Sequence, residues 1–492
     1  TVFIGAKRSN SPNILEITEF FDLAAHTLFP SSFPLRKTVV PANGFGFAFY
    51  GKRNTDISIA EIYLDKSVVK TTAAVSSVRI KNEGTAAVGN VDVNLAITGA
   101  NTFTQTINIP SLAAGAEQIV DFSAYPLLNI GNQEVNFTLS TAGDENPANN
   151  TGAKTQQVTN NFVQLKADVE NQQIGVGFNT GTTNEMAIKM YGSGTRNITQ
   201  VRVPFATYGI SVTLKILEDD GVGNIPGSVL FTSAARLTNA DNETIFHLAT
   251  PITVTGNYYV SVRQNVATNM SWLFALQYPA QSNRIYTGNN STYSPQLTDR
   301  GFFPLIKVVE QGSLPDIGVT AIASPFCGNS ATEPVSVSVA NHSNAVHDFA
   351  VNPVTVSGTI TNQKTNVVVP FSVFQNTGAL NAGQTLLVPV GINYDMSDKA
   401  THKFVVSTQM TNDAEPLNDT LSYAIVNSLR MTKSFTEPVC PYTPVTLTAI
   451  TGVYTNVQWT VNGNITFGET ITFSPSVTTL VQVTATDYRG CT

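Results

Sequence analysis

Cysteine is scarce, with three in 492 residues. That is too few for a disulfide framework, and an odd number leaves at least one unpaired or paired elsewhere. Charge is scarce too: 12% of residues are charged and the net is −7, with no basic stripe of the kind phosphate binding needs. That argues against nucleic acid as a partner. No run reaches the roughly 18 apolar residues that read as a membrane span, and no secretory signal opens the chain. Five histidines (His26, His247, His342, His347 and His402) are scattered without an HExxH-type spacing. A GxSxG elbow is missing as well, and YGSGT at 191–195 reads as a turn. Helix signals are thin; ILEITEFFDLAA at 14–25 suits a turn or two of helix, or equally a strand and a loop. These absences together predict a protein that is not an enzyme.

What is present is alternation. Val91, Val93, Leu95 and Ile97 alternate with Asp92, Asn94, Ala96 and Thr98, and Val335, Val337 and Val339 alternate with Ser336 and Ser338. A period of two is that of a sheet with one wet face. Turn clusters such as LAAGAE (112–117), LNAGQT (380–385) and GDENPANN (143–150) punctuate these runs at short intervals. The pattern predicts an all-β chain of antiparallel sandwiches. Its polar surface rests on Thr, Asn and Ser more than on charge, as is common outside the cell.

One block occurs twice. DISIAEI (56–62) lies over DIGVTAI (316–322), SVRIKN (77–82) over SVSVAN (336–341), and DENPANNT (144–151) over DAEPLNDT (413–420). The match extends backwards, VFIGAKR (2–8) over YYVSVRQ (258–264), so the first copy of the preceding unit lacks its beginning. A repeat this long is an array of whole domains. Five pieces follow: 1–55, the C-terminal part of a truncated β-domain; 56–158, an immunoglobulin-like sandwich; 159–312, a larger all-β domain; 313–428, a second immunoglobulin-like sandwich; and 429–492, a smaller one. The half-repeat and the opening on Thr1 predict a fragment of something larger. Connections such as GAKTQQVTNNF (152–162) and EQGSLPD (310–316) hold no flexible spacer, which predicts a semi-rigid rod.

The repeated sandwiches resemble CARDB-type adhesion modules of bacterial cell-surface proteins, on DISIAEI and DIGVTAI, VRIKNEG and VSVANHS, the LAAG and LNAG turns, and DENPANNT and DAEPLNDT. The second copy has His342 and Ser343 where the first has Glu83 and Gly84, and so lacks the glycine usual there. Residues 429–492 resemble the Ig/PKD-like repeats of large secreted proteins of Bacteroidota, on EPVCPYTPVTLTA, VQWTVNG (457–463) and TFSPSVTTLVQVTATDYRGCT. That resemblance implies a Cys440–Cys491 disulfide; closing such a loop is worth about 4 kcal/mol in the chain-entropy model and implies an oxidising compartment. Residues 159–312 resemble jelly-roll domains, on ITQVRVPF (198–205), LKILEDDGVGNIPGSVLFT (214–232) and NYYVSVRQ (257–264). Taken together the resemblance implies a very large exported cell-surface protein of the gliding-adhesin type, with type IX secretion. The partners it implies are other domains of the same long chain, surface glycans, and a surface anchor or secretion machinery.

Three patterns are candidate sites. Glu218, Asp219, Asp220 and Asn224, in EDDGVGN, supply hard oxygens on a glycine-bent loop, the chemistry Ca²⁺ prefers; a plain β-turn is the alternative. Trp272, Tyr278, Tyr286 and Tyr293 cluster in one segment and suit sugar stacking, although the period-two placement of Trp272, Phe274 and Leu276 argues for core. Thr420, in Asp419-Thr420-Leu421, fits an O-glycosylation pattern of exported Bacteroidota proteins. His342 and His347 read as a solvated loop before a metal pair, and Cys327, without a paired His, as buried or paired elsewhere. The leading expectation is a stalk-and-adhesin segment. A glycan-binding array and the accessory tail of a secreted hydrolase are the alternatives.

Overall fold

The computed structural model describes residues 53–70, 72–166, 173–178, 184–207, 209–220, 225–239, 243–276, 284–289, 292–295, 302–325, 330–398, 400–426, 430–436, 438–450 and 454–487, plus the backbone of three strands before residue 29. The chain is all-β. The stretch that suited either helix or strand contains a strand, Leu15–Asp22. Where residues alternate in the sequence they alternate in burial: Val91, Val93, Leu95 and Ile97 are each at most 1% exposed. Burying each such side chain contributes about 1.5–3 kcal/mol.

The two repeats fold alike. In the first, a three-stranded sheet (Glu117–Asp121, Ser77–Asn82, Ile57–Tyr63) faces four strands, Thr151–Thr159, Gly131–Ser140, Val88–Gly99 and Phe103–Leu112. In the second, Ile317–Ser324, Glu333–Asn341 and Thr385–Tyr394 face Val368–Gln375, Val354–Asn362, Thr401–Met410 and Thr420–Val426. The motif asparagines explain part of the likeness. Asn82 Nδ2 donates to the carbonyls of Ala86 and Leu112, each at 2.9 Å, and its Oδ1 accepts the Gly84 N–H. Asn341 repeats this set with Ala345, Leu380 and Ser343. Each ties one strand end to the facing turn, where Gly115 and Gly383 take positive φ.

Between the repeats, three sheets enclose a large apolar cluster that includes Leu214, Ile216, Val260, Val262, Trp272 and Phe303. One of these sheets runs on into the first repeat. The strand Phe162–Gln164 pairs with Lys307–Glu310 on one side and with Ser67–Val69 on the other, giving nine strands in one sheet. Cores cross the junctions too: Val69 of the first repeat joins the central cluster, and Ile245 of the central unit joins the core of the second repeat. The last unit is two three-stranded sheets around Trp459, which is 0% exposed and donates its indole N–H to the Gly468 carbonyl at 2.8 Å.

Candidate functional site

The expected calcium set is not assembled. Asp219 turns inward, 2.8 Å from Lys189 Nζ, and accepts from Tyr259 Oη and Asn257 Nδ2. Asp220 turns outward and accepts from both the N–H and the hydroxyl of Ser228 at 2.7 Å, which holds its carboxyl below the usual range. Glu218 is exposed, with its backbone paired to the strand that follows, and Asn224 lies outside the described residues. Among the described residues of this segment, Asp219 is neutralised by a lysine and Asp220 caps backbone.

Nor do the aromatics form a platform. Trp272 is 0% exposed, packs edge-on to Phe274, and donates to the Leu305 carbonyl at 2.7 Å. Tyr286 and Tyr293 are buried on the other side of the sheet with Tyr259, and desolvation raises their hydroxyl pKa values. Tyr278 lies outside the described residues, as do Cys327 and Cys491; Cys440 is exposed. Thr420 is exposed at the start of its strand.

The histidine expectation needs correction. His342 and His347 are 0% and 6% exposed, not solvated. His342 Nδ1 lies 2.9 Å from Thr199 Oγ1, and its ring meets His247 edge-on at 6.2 Å. His347 Nε2 lies 2.8 Å from the Asn352 carbonyl, so the two rings serve different partners. His342 sits there because Gly312 and Ser343 bridge in parallel, joining the central unit to the second repeat.

Beside that bridge is a concentration of acid that was read from the sequence only as a repeat motif. Asp316 opens the first strand of the second repeat and is 0% exposed. The loop after Met410 carries Asp413, Glu415 and Asp419 and turns through a 3₁₀ segment, Pro416–Asn418. One carboxylate oxygen each from Asp316, Asp413 and Asp419 lie within 4.8 Å of one another. Asp316 accepts from Asn418 Nδ2 at 2.9 Å and from Asn161, which reaches across from the preceding unit. Arg202 of the central unit donates to the Asn418 carbonyl at 2.8 Å. Desolvation, then the neighbouring acid, pushes Asp316 up to about 7 and Glu415 and Asp419 up to about 8. Asp413 is raised by burial as well.

The first repeat has the same loop with different chemistry. Its 3₁₀ segment is Pro147–Asn149, and Asp144 accepts the Asn146 N–H at 2.9 Å as Asp413 accepts that of Glu415. Asn150, however, stands where the second repeat has Asp419, and donates its amide to Asp144. Asn146 stands where Glu415 is, and Asp56, the counterpart of Asp316, is paired with Arg53 at 3.0 Å. The signal was available in the aligned DENPANNT and DAEPLNDT: two amides replaced by two acids.

One family model and several solved structures are similar to parts of this chain. A model of the CARDB family matches residues 54–154. Two solved structures of a CARDB domain from Pyrococcus furiosus, one in complex with di-metal ions and one in solution, are each 22% identical with a TM-score of 0.19. They cover 23% and 22% of this chain, and the chain covers 94% and 96% of theirs. A Salmonella alpha-2-macroglobulin reacted with methylamine is 10% identical, with a TM-score of 0.15, over 96% of this chain and 30% of that one. No curated sequence matches the chain. Residues 54–154 are a CARDB domain, of a kind found as a β-sandwich repeat in extracellular proteins, and the chain is a CARDB-containing multidomain protein.

Proposed function

We propose that this chain is a non-enzymatic stalk-and-adhesin segment of a very large exported cell-surface protein, serving attachment or gliding. The observation that carries this reading is the way successive units are joined. A nine-stranded sheet and two shared cores cross the junctions where a free linker would otherwise stand. Units joined in this way cannot swing independently, and a load applied at one end is passed through ladders of antiparallel hydrogen bonds. The burial of Trp272, Tyr286 and Tyr293, three of the four rings named for it, counts against the glycan-binding alternative. The test is antibody labelling of intact native cells, with attachment and gliding scored in a strain lacking the gene. Surface labelling with a loss of either behaviour supports the reading. Labelling only after lysis, or unchanged attachment and gliding, removes it.

A further inference from the structure

We propose that Asp316, Asp413 and Asp419 bind one divalent cation of the calcium type at the junction between the central unit and the second repeat. One oxygen of each lies within 4.8 Å of the other two. That is the spread of ligands gathered around one ion at about 2.4 Å each. Glu415, 1% exposed in the same loop, brings a fourth carboxyl close enough for Asp316 to raise its pKa. The nearby cation, Arg202, lowers the pKa of Asp316 through its charge, while its guanidinium donates to the carbonyls of Asn418, Val319 and Thr420 and to Gln200.

The fold does not require two of these acids, Glu415 and Asp419; Asp316 and Asp413 have the counterparts Asp56 and Asp144. The first repeat builds the same Asx turn and 3₁₀ segment with Asn146 and Asn150 in place of Glu415 and Asp419, and there an amide bonds the facing carboxylate. Exchanging that amide for an acid sets like charges together out of water; Asp419 accepts from Thr408 Oγ1 at 3.0 Å, but one hydroxyl does not neutralise it, and a cation would.

Two buried side chains point the same way. Asn161 and Asn418, each 0% exposed, aim their amide ends at Asp316, and the Oδ1 of each meets no donor. An unmet buried acceptor is itself destabilising. The two ends of a carboxamide are close to isosteric, so a half-turn presents that oxygen to the cluster, an exchange that a cation favours and a bare carboxylate opposes. Hard oxygens on a loop, without octahedral regularity, suit Ca²⁺ better than Mg²⁺.

The test uses the whole 492-residue chain stripped with chelator, titrated calorimetrically with CaCl₂ alone and melted with and without it. Saturable binding with Kd at or below about 1 mM is expected, the range of extracellular calcium modules, together with a rise in melting temperature. Asp419→Asn restores the first repeat's amide. It should melt at or above wild type in chelator, yet lose at least about tenfold in calcium affinity through the lost ligand charge. A flat wild-type titration overturns the proposal, and so does undiminished affinity in Asp419→Asn. If that variant does not fold, Glu415→Gln replaces it, with a weakened calcium response expected and an unchanged one counting against the site.

Discussion

Arg284 shows how much one side chain can hold. It is 3% exposed, and its guanidinium grips Asp65 of the first repeat through two contacts, Nη1 to Oδ1 at 2.7 Å and Nη2 to Oδ2 at 3.3 Å. Its Nε donates to the Lys189 carbonyl, and its plane lies over Tyr191 and Phe303 with ring centroids at 4.6 and 5.1 Å. Removing it leaves a carboxylate that is mostly buried without its cation. Arg284→Ala should therefore cost about 3–5 kcal/mol, measured by denaturant unfolding. The double variant with Asp65→Ala should cost less than the sum of the two single changes, because the uncompensated charge is gone as well. An additive result would mean that the pair contributes nothing as a pair. Lysine at 284 should rescue only part of the loss, since an ammonium cannot reproduce the two-pronged contact or the stacking.

At the scale of elements, the short strand Phe162–Gln164 decides whether neighbouring units move together. Val163 pairs with Val308 within the central unit and Leu165 N–H donates to the Ile306 carbonyl two residues further along, while Gln164 pairs with Ser67 across the junction. Val163→Pro removes a ladder donor from an interior strand and should cost about 3 kcal/mol. Limited proteolysis should then cut between the first repeat and the central unit, where wild type resists. Equal resistance in the variant would show that the shared cores hold the junction without the sheet. This joining strand was not legible in the sequence. Three residues are too few to show alternation, and VTNNF resembles a linker because its asparagines are turn formers. Those asparagines serve the junction: Asn161 reaches Asp316. What was legible was longer and periodic: Val335, Val337 and Val339 are each at most 3% exposed. The asparagines of VRIKNEG and VSVANHS stood out as motif, but their three-way anchoring needed the facing turns in place. Ser343 takes the place of Gly84 because its hydroxyl bonds Asn341 Oδ1 at 2.7 Å, where a Cβ on Gly84 would lie 2.5 Å from the Asn54 carbonyl oxygen. The acid cluster stayed hidden for another reason. Asp316 and Asp419 lie 103 positions apart, and only the return of the last strand beside the first brings them together.

Across the whole molecule, the junctions concentrate groups whose charge state differs between folded and unfolded chains. His247 and His342 meet where the central unit packs on the second repeat. Neither ring nitrogen of His247 has a hydrogen-bond partner, nor does His342 Nε2. Desolvation, with Arg236 adding to it, depresses His247 to about 4, and desolvation beside His247 takes His342 well below the usual value. Both rings are therefore neutral in the folded chain at pH 7. A histidine depressed by folding contributes stability that is fully present above its unfolded value, near 6.5, and lost as pH falls toward the folded one. The expected window for His247 runs from about 6.5 down to about 4. Phenylalanine at 247 keeps the ring and cannot take the proton. The difference in stability between wild type and His247→Phe should be flat above pH 6.5 and should turn against wild type through that window. Thermal melts of both proteins between pH 4 and 8 measure it, with the variant as reference so that carboxylates titrating in both cancel. Parallel curves would mean that the junction opens and hydrates the ring before it is protonated. The two units would then separate in acid without histidine taking part, and the joint would owe its strength to the shared core and the sheet.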